Sequence, residues 1–165
     1  MKKIYLLIGF LCLFAFAVMP AQAFTAKTLY ITLNGNGDAQ MDMQYDLSFA
    51  EQVAIFVHAV NPMSELQNVL QENFNGPITV VRADTSSAEV DIPSFATVTQ
   101  SGGATTMTTP ALSFAQAQQI MQQYWFASLI SPDLTPQVTT ITFPDGYQAT
   151  YNNQISLPSV SHTLV

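Results

Sequence analysis

The chain has 165 residues, with four Lys and Arg against eleven Asp and Glu, a formal net charge of −7 and 48% hydrophobic residues. That length suits one domain with a sizeable core. The acidic balance argues against nucleic acid, whose phosphates require a basic patch, and against an anionic membrane surface.

Lys2 and Lys3 precede an apolar run, Ile4 to Val18, and Pro20-Ala21-Gln22-Ala23 ends in a small-x-small pattern. This is the layout of a secretory signal peptide over residues 1–23, with Phe24 as the expected start of the exported chain. The apolar run is shorter than the roughly 20 residues a spanning helix needs, and no later segment reaches that length, so release without a membrane span is expected. Cys12, the only cysteine, lies inside this signal, which leaves the exported chain without disulfide or thiolate chemistry. Its only bases are then Lys27 and Arg82. From Ile92 to Pro132, and again after Asp145, there is no Lys, Arg, Asp or Glu. Residues 24–165 are therefore read as one domain with a low-charge C-terminal half.

From Thr28 to Leu47 the period is two, with Leu29, Ile31 and Leu33, then Met41, Met43, Tyr45 and Leu47, alternating with polar residues. Asn34-Gly35-Asn36-Gly37-Asp38 supplies the reversal, so this segment predicts a hairpin with one apolar face and one polar, acidic face. Ser48-Phe49-Ala50-Glu51 has the form of a capping box and predicts a largely apolar helix, Phe49 to Val60, that stops before Pro62. Ser64 then opens a second helix, with Leu66, Val69, Leu70 and Phe74 on one stripe and Asn75-Gly76-Pro77 as its end.

Ile78 to Ala83 and Ala88 to Ile92 read as short strands about a Thr85-Ser86-Ser87 turn. Phe95 to Thr109 reads as a charge-free hairpin around Ser101-Gly102-Gly103. Ser113 is placed to cap a third helix, Phe114 to Ile130, with Trp125 on its apolar side and glutamines on the other. Val138 to Phe143 and Tyr147 to Asn153 form a further hairpin across Pro144-Asp145-Gly146, and the last ten or so residues read as strand and tail. The expected fold class is α+β, with antiparallel hairpins in one or two sheets packed with about three helices, because each apolar hairpin face must be buried.

Catalytic signatures are missing. There is no G-x-S-x-G, H-E-x-x-H or Walker loop, and Gly35-Asn36-Gly37 lacks the third glycine and following helix of a dinucleotide site. His58, in the apolar helix, reads as a core or interface histidine, and His162 lies in the tail. Asp38, Asp42 and Asp46 are four apart on a strand, hence about 13 Å between neighbours, too far for a glycosidase pair. Glu89 and Asp91 are closer but read as charges guarding an edge strand. Asn34, Asn36 and Asp38 allow a weak, exposed divalent-cation site, although the loop lacks the order and closing Glu of an EF-hand. No catalytic residue, resident metal or cofactor is expected.

Two function classes remain. In the first the exported chain is a self-associating cell-surface component. Thr106 and Thr108, Thr140 and Thr142, and the rings of Tyr147 and Tyr151 are the candidate assembly edges, since they offer side-chain ladders on strands that no Lys guards. In the second it is a monomeric binding module or hydrolase, acting on saccharide or peptide through the acidic hairpin face or the Trp125-Phe126 region. With its charges stripped from the C-terminal half, and with hairpins such as ITFPDGYQATYNN, the chain resembles the surface sheath proteins of filamentous methanogenic archaea. The resemblance is one of overall character across the mature chain and transfers no site residue. It implies a non-enzymatic structural homopolymer, paired through β-sheets around the cell.

Overall fold

The computed structural model describes residues 24–48, 62–73, 77–123 and 133–165. The signal peptide, the Phe49 to Val60 helix with His58, and Trp125 lie outside the described residues.

Strands β1 (Thr25–Leu33) and β2 (Ala39–Asp46) form the first predicted hairpin. Next come helix α1 (Pro62–Asn73), β3 (Thr79–Ala83), β4 (Ser87–Ile92), β5 (Thr97–Ser101), β6 (Ala104–Thr108) and β7 (Leu112–Ser113). Helix α2 (Phe114–Met121) leads to β8 (Val138–Thr142), β9 (Gln148–Asn152), β10 (Ser156–Leu157) and β11 (Ser161–Thr163). The strands build a six-stranded sheet ordered β3-β4-β2-β1-β8-β9, a three-stranded sheet β11-β6-β5 and a two-stranded pair β10-β7.

This is a mostly β domain, and the expectation of an α+β fold with one or two sheets and about three helices is overturned. Among the described residues there are eleven strands and two helices in the whole element order. Helix α2 carries no acid in its first turn and no base in its last, so no side-chain charge in those turns complements its dipole. Ser113 does cap it, its hydroxyl accepting the Gln116 amide at 3.2 Å. A reason for the high strand content is that the closing segments, expected only as a strand and tail, pair with strands far away in sequence, β10 on β7 and β11 on β6. Helix α1 starts at Pro62 rather than Ser64, as proline's missing N–H permits in a first turn.

In the six-stranded sheet β1 pairs antiparallel with β2 and parallel with β8. Leu29, Ile31 and Leu33 point to the inner face, and the register puts Thr139 and Ile141 beside Leu29 and Ile31. These residues form a continuous core with Phe143, with Met107 of β6, Phe114 of α2 and Leu157 of β10. Ile31, Met107 and Ile141 are essentially inaccessible to water, and each contributes about 1.5–3 kcal/mol from burial. Met43 is half-buried on the same face. The outer face carries Tyr30, Thr32, Gln40, Asp42, Thr140, Thr142 and Thr150, which are polar and exposed or half-buried.

At the β1–β2 turn, Gly37 has φ +92°, and a Cβ there would lie 2.4 Å from the Ala96 carbonyl oxygen. The Gly37 carbonyl accepts the Ala96 amide at 2.8 Å, so the turn of the large sheet is tied to the entry of β5. The Asp38 carboxylate accepts the Ser94 amide at 2.8 Å and fastens the same junction.

Candidate functional site

The two edges of the six-stranded sheet are built differently. Helix α1 packs on β3 and buries Val69 there, with Leu66 and Leu70 half-buried. From this helix the Gln67 amide reaches the outer side of β3: its Nε2 donates to the Ile78 carbonyl, and its Oε1 accepts the Val80 amide at 2.6 Å. One side chain thus supplies the donor and the acceptor of an absent strand at the start of β3, where a further strand would have to displace it.

The opposite edge, β9, has no such cover among the described residues. In its antiparallel pairing with β8 the bonded positions alternate, and Phe143 N to Tyr147 O and Asn153 N to Gln137 O fix which they are. Tyr147, Ala149, Tyr151 and Asn153 bond inward, so Gln148, Thr150 and Asn152 turn their backbone N–H and C=O outward. The Asn152 carbonyl accepts Gln154 Nε2 at 3.3 Å, and no other described group bonds to these outward positions. The strand reads Gln-Ala-Thr-Tyr-Asn, with no charge and no proline to discourage pairing. In the three-stranded sheet β5 is a second uncharged edge. Its two-residue turn, Gly102 and Gly103 at φ +60° and +82°, makes Ser101/Ala104 and Thr99/Thr106 the bonded pairs and leaves the backbone of Val98 and Gln100 facing out.

The predicted threonines do not lie on these edges. Thr106 and Thr108 belong to β6, the middle strand between β5 and β11. Their hydroxyls bond across to Thr163 Oγ1 at 2.9 Å and Ser161 Oγ at 3.0 Å, as internal ladders. Thr140 and Thr142 belong to β8, between β1 and β9, where they stand beside Thr150 and Gln148. These residues are uncharged, but the strands that would have been edges in isolated hairpins have gained second partners. Tyr151 is on the open strand, half-buried on its inner side, and exposed Tyr147 precedes it. The unforeseen edge residues are Gln148, Thr150 and Asn152. Glu89 and Asp91 likewise guard no edge, since β4 is internal.

The charges gather on the other half of the sheet. Arg82 lies 3.3 Å from Asp42, 3.7 Å from Glu89 and 3.9 Å from Asp84, and Lys27 lies 3.0 Å from Asp46. The β3–β4 turn is ordered by Asp84, whose carboxylate accepts the Ser86 and Ser87 amides at 2.8 and 2.9 Å and both serine hydroxyls. Those bonds, the Ser86 amide foremost, hold its carboxyl down at about 2. The Tyr45 hydroxyl donates to the Asp84 and Ser87 carbonyls; burial first, and the Asp84 charge second, push its pKa up to about 12, so it remains a donor. In the Asn34, Asn36 and Asp38 loop read as a cation site, the Asp38 carboxylate accepts Asn36 Nδ2 at 2.6 Å as well as the Ser94 amide. Among the described residues no group of three or more metal-ligating side chains converges.

His162, read from the sequence as a tail residue, sits in β11 with its Nε2 2.7 Å from Asp145 Oδ2, the two side chains 18% and 14% exposed. The ring stacks on Tyr147 at 4.1 Å and meets Phe143 edge-on at 5.0 Å. The bond to His162, aided by the Tyr147 and Val165 amides, holds the Asp145 carboxyl below its usual range. An aspartate orienting a histidine supplies two of the three members of a hydrolytic triad, yet no hydroxyl bonds this imidazole among the described residues. The pair acts as a latch holding β11 against the β8–β9 turn. No protein-family model, curated protein or solved structure matches this chain.

Proposed function

We propose that the chain is an exported, non-enzymatic structural subunit that self-assembles through open β-sheet edges into a cell-envelope or sheath layer outside the cell. The observation that carries this reading is β9, an edge strand with three outward-facing residues and no charge, in a sheet whose other edge is closed by a side chain. Edge strands that must remain single ordinarily carry Lys, Pro or a cover. The second open edge, β5, gives one subunit two separate contacts, as growth beyond a dimer requires. The partner is another copy of the chain, and neither nucleic acid nor cofactor enters the role. Among the described residues no helix is long and apolar enough to cross a membrane.

The test is the size distribution of the purified exported protein as its concentration is raised, with and without calcium. A ladder of multiples or a sedimenting polymer is expected. A single species of monomer mass throughout would overturn assembly and favour a monomeric binding module or hydrolase working through the acidic face.

A further inference from the structure

We infer that the first assembly contact is a two-fold, antiparallel pairing of β9 with β9 of a second copy, centred on Thr150, which joins two six-stranded mixed sheets into one continuous sheet. This inference rests on the assembly reading above and names its contact.

Three features of the strand point to its own copy as occupant. Its outward backbone groups, at Gln148, Thr150 and Asn152, are spaced symmetrically about Thr150. In an antiparallel pair with Thr150 opposite Thr150, Gln148 falls opposite Asn152 of the second copy, and each opposed pair exchanges both backbone hydrogen bonds. Side chains match in the same register. On the outer face the Gln148 amide meets an Asn152 amide and threonine meets threonine, while on the inner face the small Ala149 stands beside the Tyr151 ring of the second copy. No charge is brought against a like charge, because the strand has none.

The competing edges fit less well. A head-to-tail contact of β9 on β3 would have to displace Gln67 from the Ile78 carbonyl and the Val80 amide. Strand β5 exposes only Val98 and Gln100 backbone groups, and the chain entering it is already held by Gly37. The Asn152 carbonyl must share its Gln154 contact, which is long at 3.3 Å, and a carbonyl has a second lone pair.

The experiment uses single cysteines in the full-length chain carrying Cys12→Ser, so that each introduced thiol is the only one. Directly opposed bonded residues in an antiparallel pair have Cα atoms about 5.5 Å apart, within the range a disulfide spans. Thr150→Cys is therefore expected to form a covalent dimer on mild oxidation, and also with a short bis-maleimide, whose reach relaxes the disulfide geometry. Gln148→Cys alone should form at least fivefold less dimer, since its own counterpart is four residues out of register, about 13 Å away. A mixture of Gln148→Cys and Asn152→Cys proteins should yield the crosslinked heterodimer. Gln71→Cys, exposed on α1, sets the background.

If the unsubstituted protein assembles but Thr150→Cys crosslinks no faster than Gln71→Cys with either reagent, the two-fold seam is overturned and assembly uses another edge such as β5. Equal dimer from Thr150→Cys and Gln148→Cys also overturns it, because it shows contact without register. If the unsubstituted protein stays monomeric, the assembly reading fails together with its seam.

Discussion

The two halves of the six-stranded sheet, divided at β1, solve the problem of a sheet edge in opposite ways. On the β2-β4-β3 side, Asp42 and Glu89 flank a single Arg82 on the outer face, and Gln67 bonds to the last strand. On the β8-β9 side the outer face is threonine, glutamine and asparagine, and the last strand ends in unsealed backbone. The difference teaches that the low charge of the C-terminal half is not spread evenly over the surface. It coincides with edges, β9 of this sheet and β5 of the smaller one, that have outward-facing peptide groups without a partner among the described residues. Charges and a side-chain cap refuse a second strand, whereas a neutral ladder accepts one without desolvating an ion.

The contrast can be broken first where the two sheets meet. Gly37→Ala forces a positive φ on a residue with a Cβ and drives that Cβ into the Ala96 carbonyl. A loss of about 2–3 kcal/mol is expected in denaturant unfolding, and a loss under about 0.5 kcal/mol would mean that this junction does not hold the sheets in register. The open edge is tested by Thr150→Pro, which removes an outward N–H that β8 does not use. Proline is tolerated on an edge strand, so folding stability should change by about 1 kcal/mol or less, while association weakens roughly 30-fold, or about 2 kcal/mol. Sedimentation over a concentration series measures the second quantity, and association left intact would remove β9 from the assembly.

Gln67→Ala inverts the comparison, since it uncovers the Ile78 carbonyl and the Val80 amide. The cost in stability is about 1 kcal/mol, and new, larger oligomers should appear as β3 becomes a pairing edge. Loss of stability with no change in oligomer distribution would show that the charged outer face is itself sufficient to refuse a strand. The smallest effect is the pH response of the charged half. Asp84 is depressed from 3.8 to about 2 by the Ser86 amide first, so the folded chain binds fewer protons there than the unfolded one. Its contribution is fully present above about pH 4 and is lost as pH falls towards 2. Thermal midpoints should decline across that window, and less steeply in Asp84→Asn; equal slopes would assign the acid sensitivity to other carboxyls. Asp145, depressed by His162, adds a term of the same sign at the latch.

Local patterns carried a good part of the fold. Alternation of Leu29, Ile31 and Leu33 about the Asn-Gly turn, the Thr85-Ser86-Ser87 turn, Gly102-Gly103 and Pro144-Asp145-Gly146 each specify a hairpin through contacts a few residues apart, and all four hairpins are present. The candidate site was legible only as a composition. Thr106, Thr108, Thr140 and Thr142 read as neutral ladder residues, but their strands are internal, and nothing in the sequence singles out Thr150. His162 gave no signal, because its partner Asp145 is 17 residues away in a turn.

What the sequence by itself determined is therefore the set of hairpins, the alternation that chooses their inner faces, and the removal of charge from the C-terminal half. These depend on backbone preferences and side-chain periods that act within a few residues. Tertiary structure alone decided that β8 would lie parallel to β1, that β11 would cover β6, that the Gln67 amide would seal β3, and hence which strand was left open. Each of those is a pairing between segments far apart in the chain. Whether a strand is an edge depends on what finally lies beside it, and no residue of the strand encodes that.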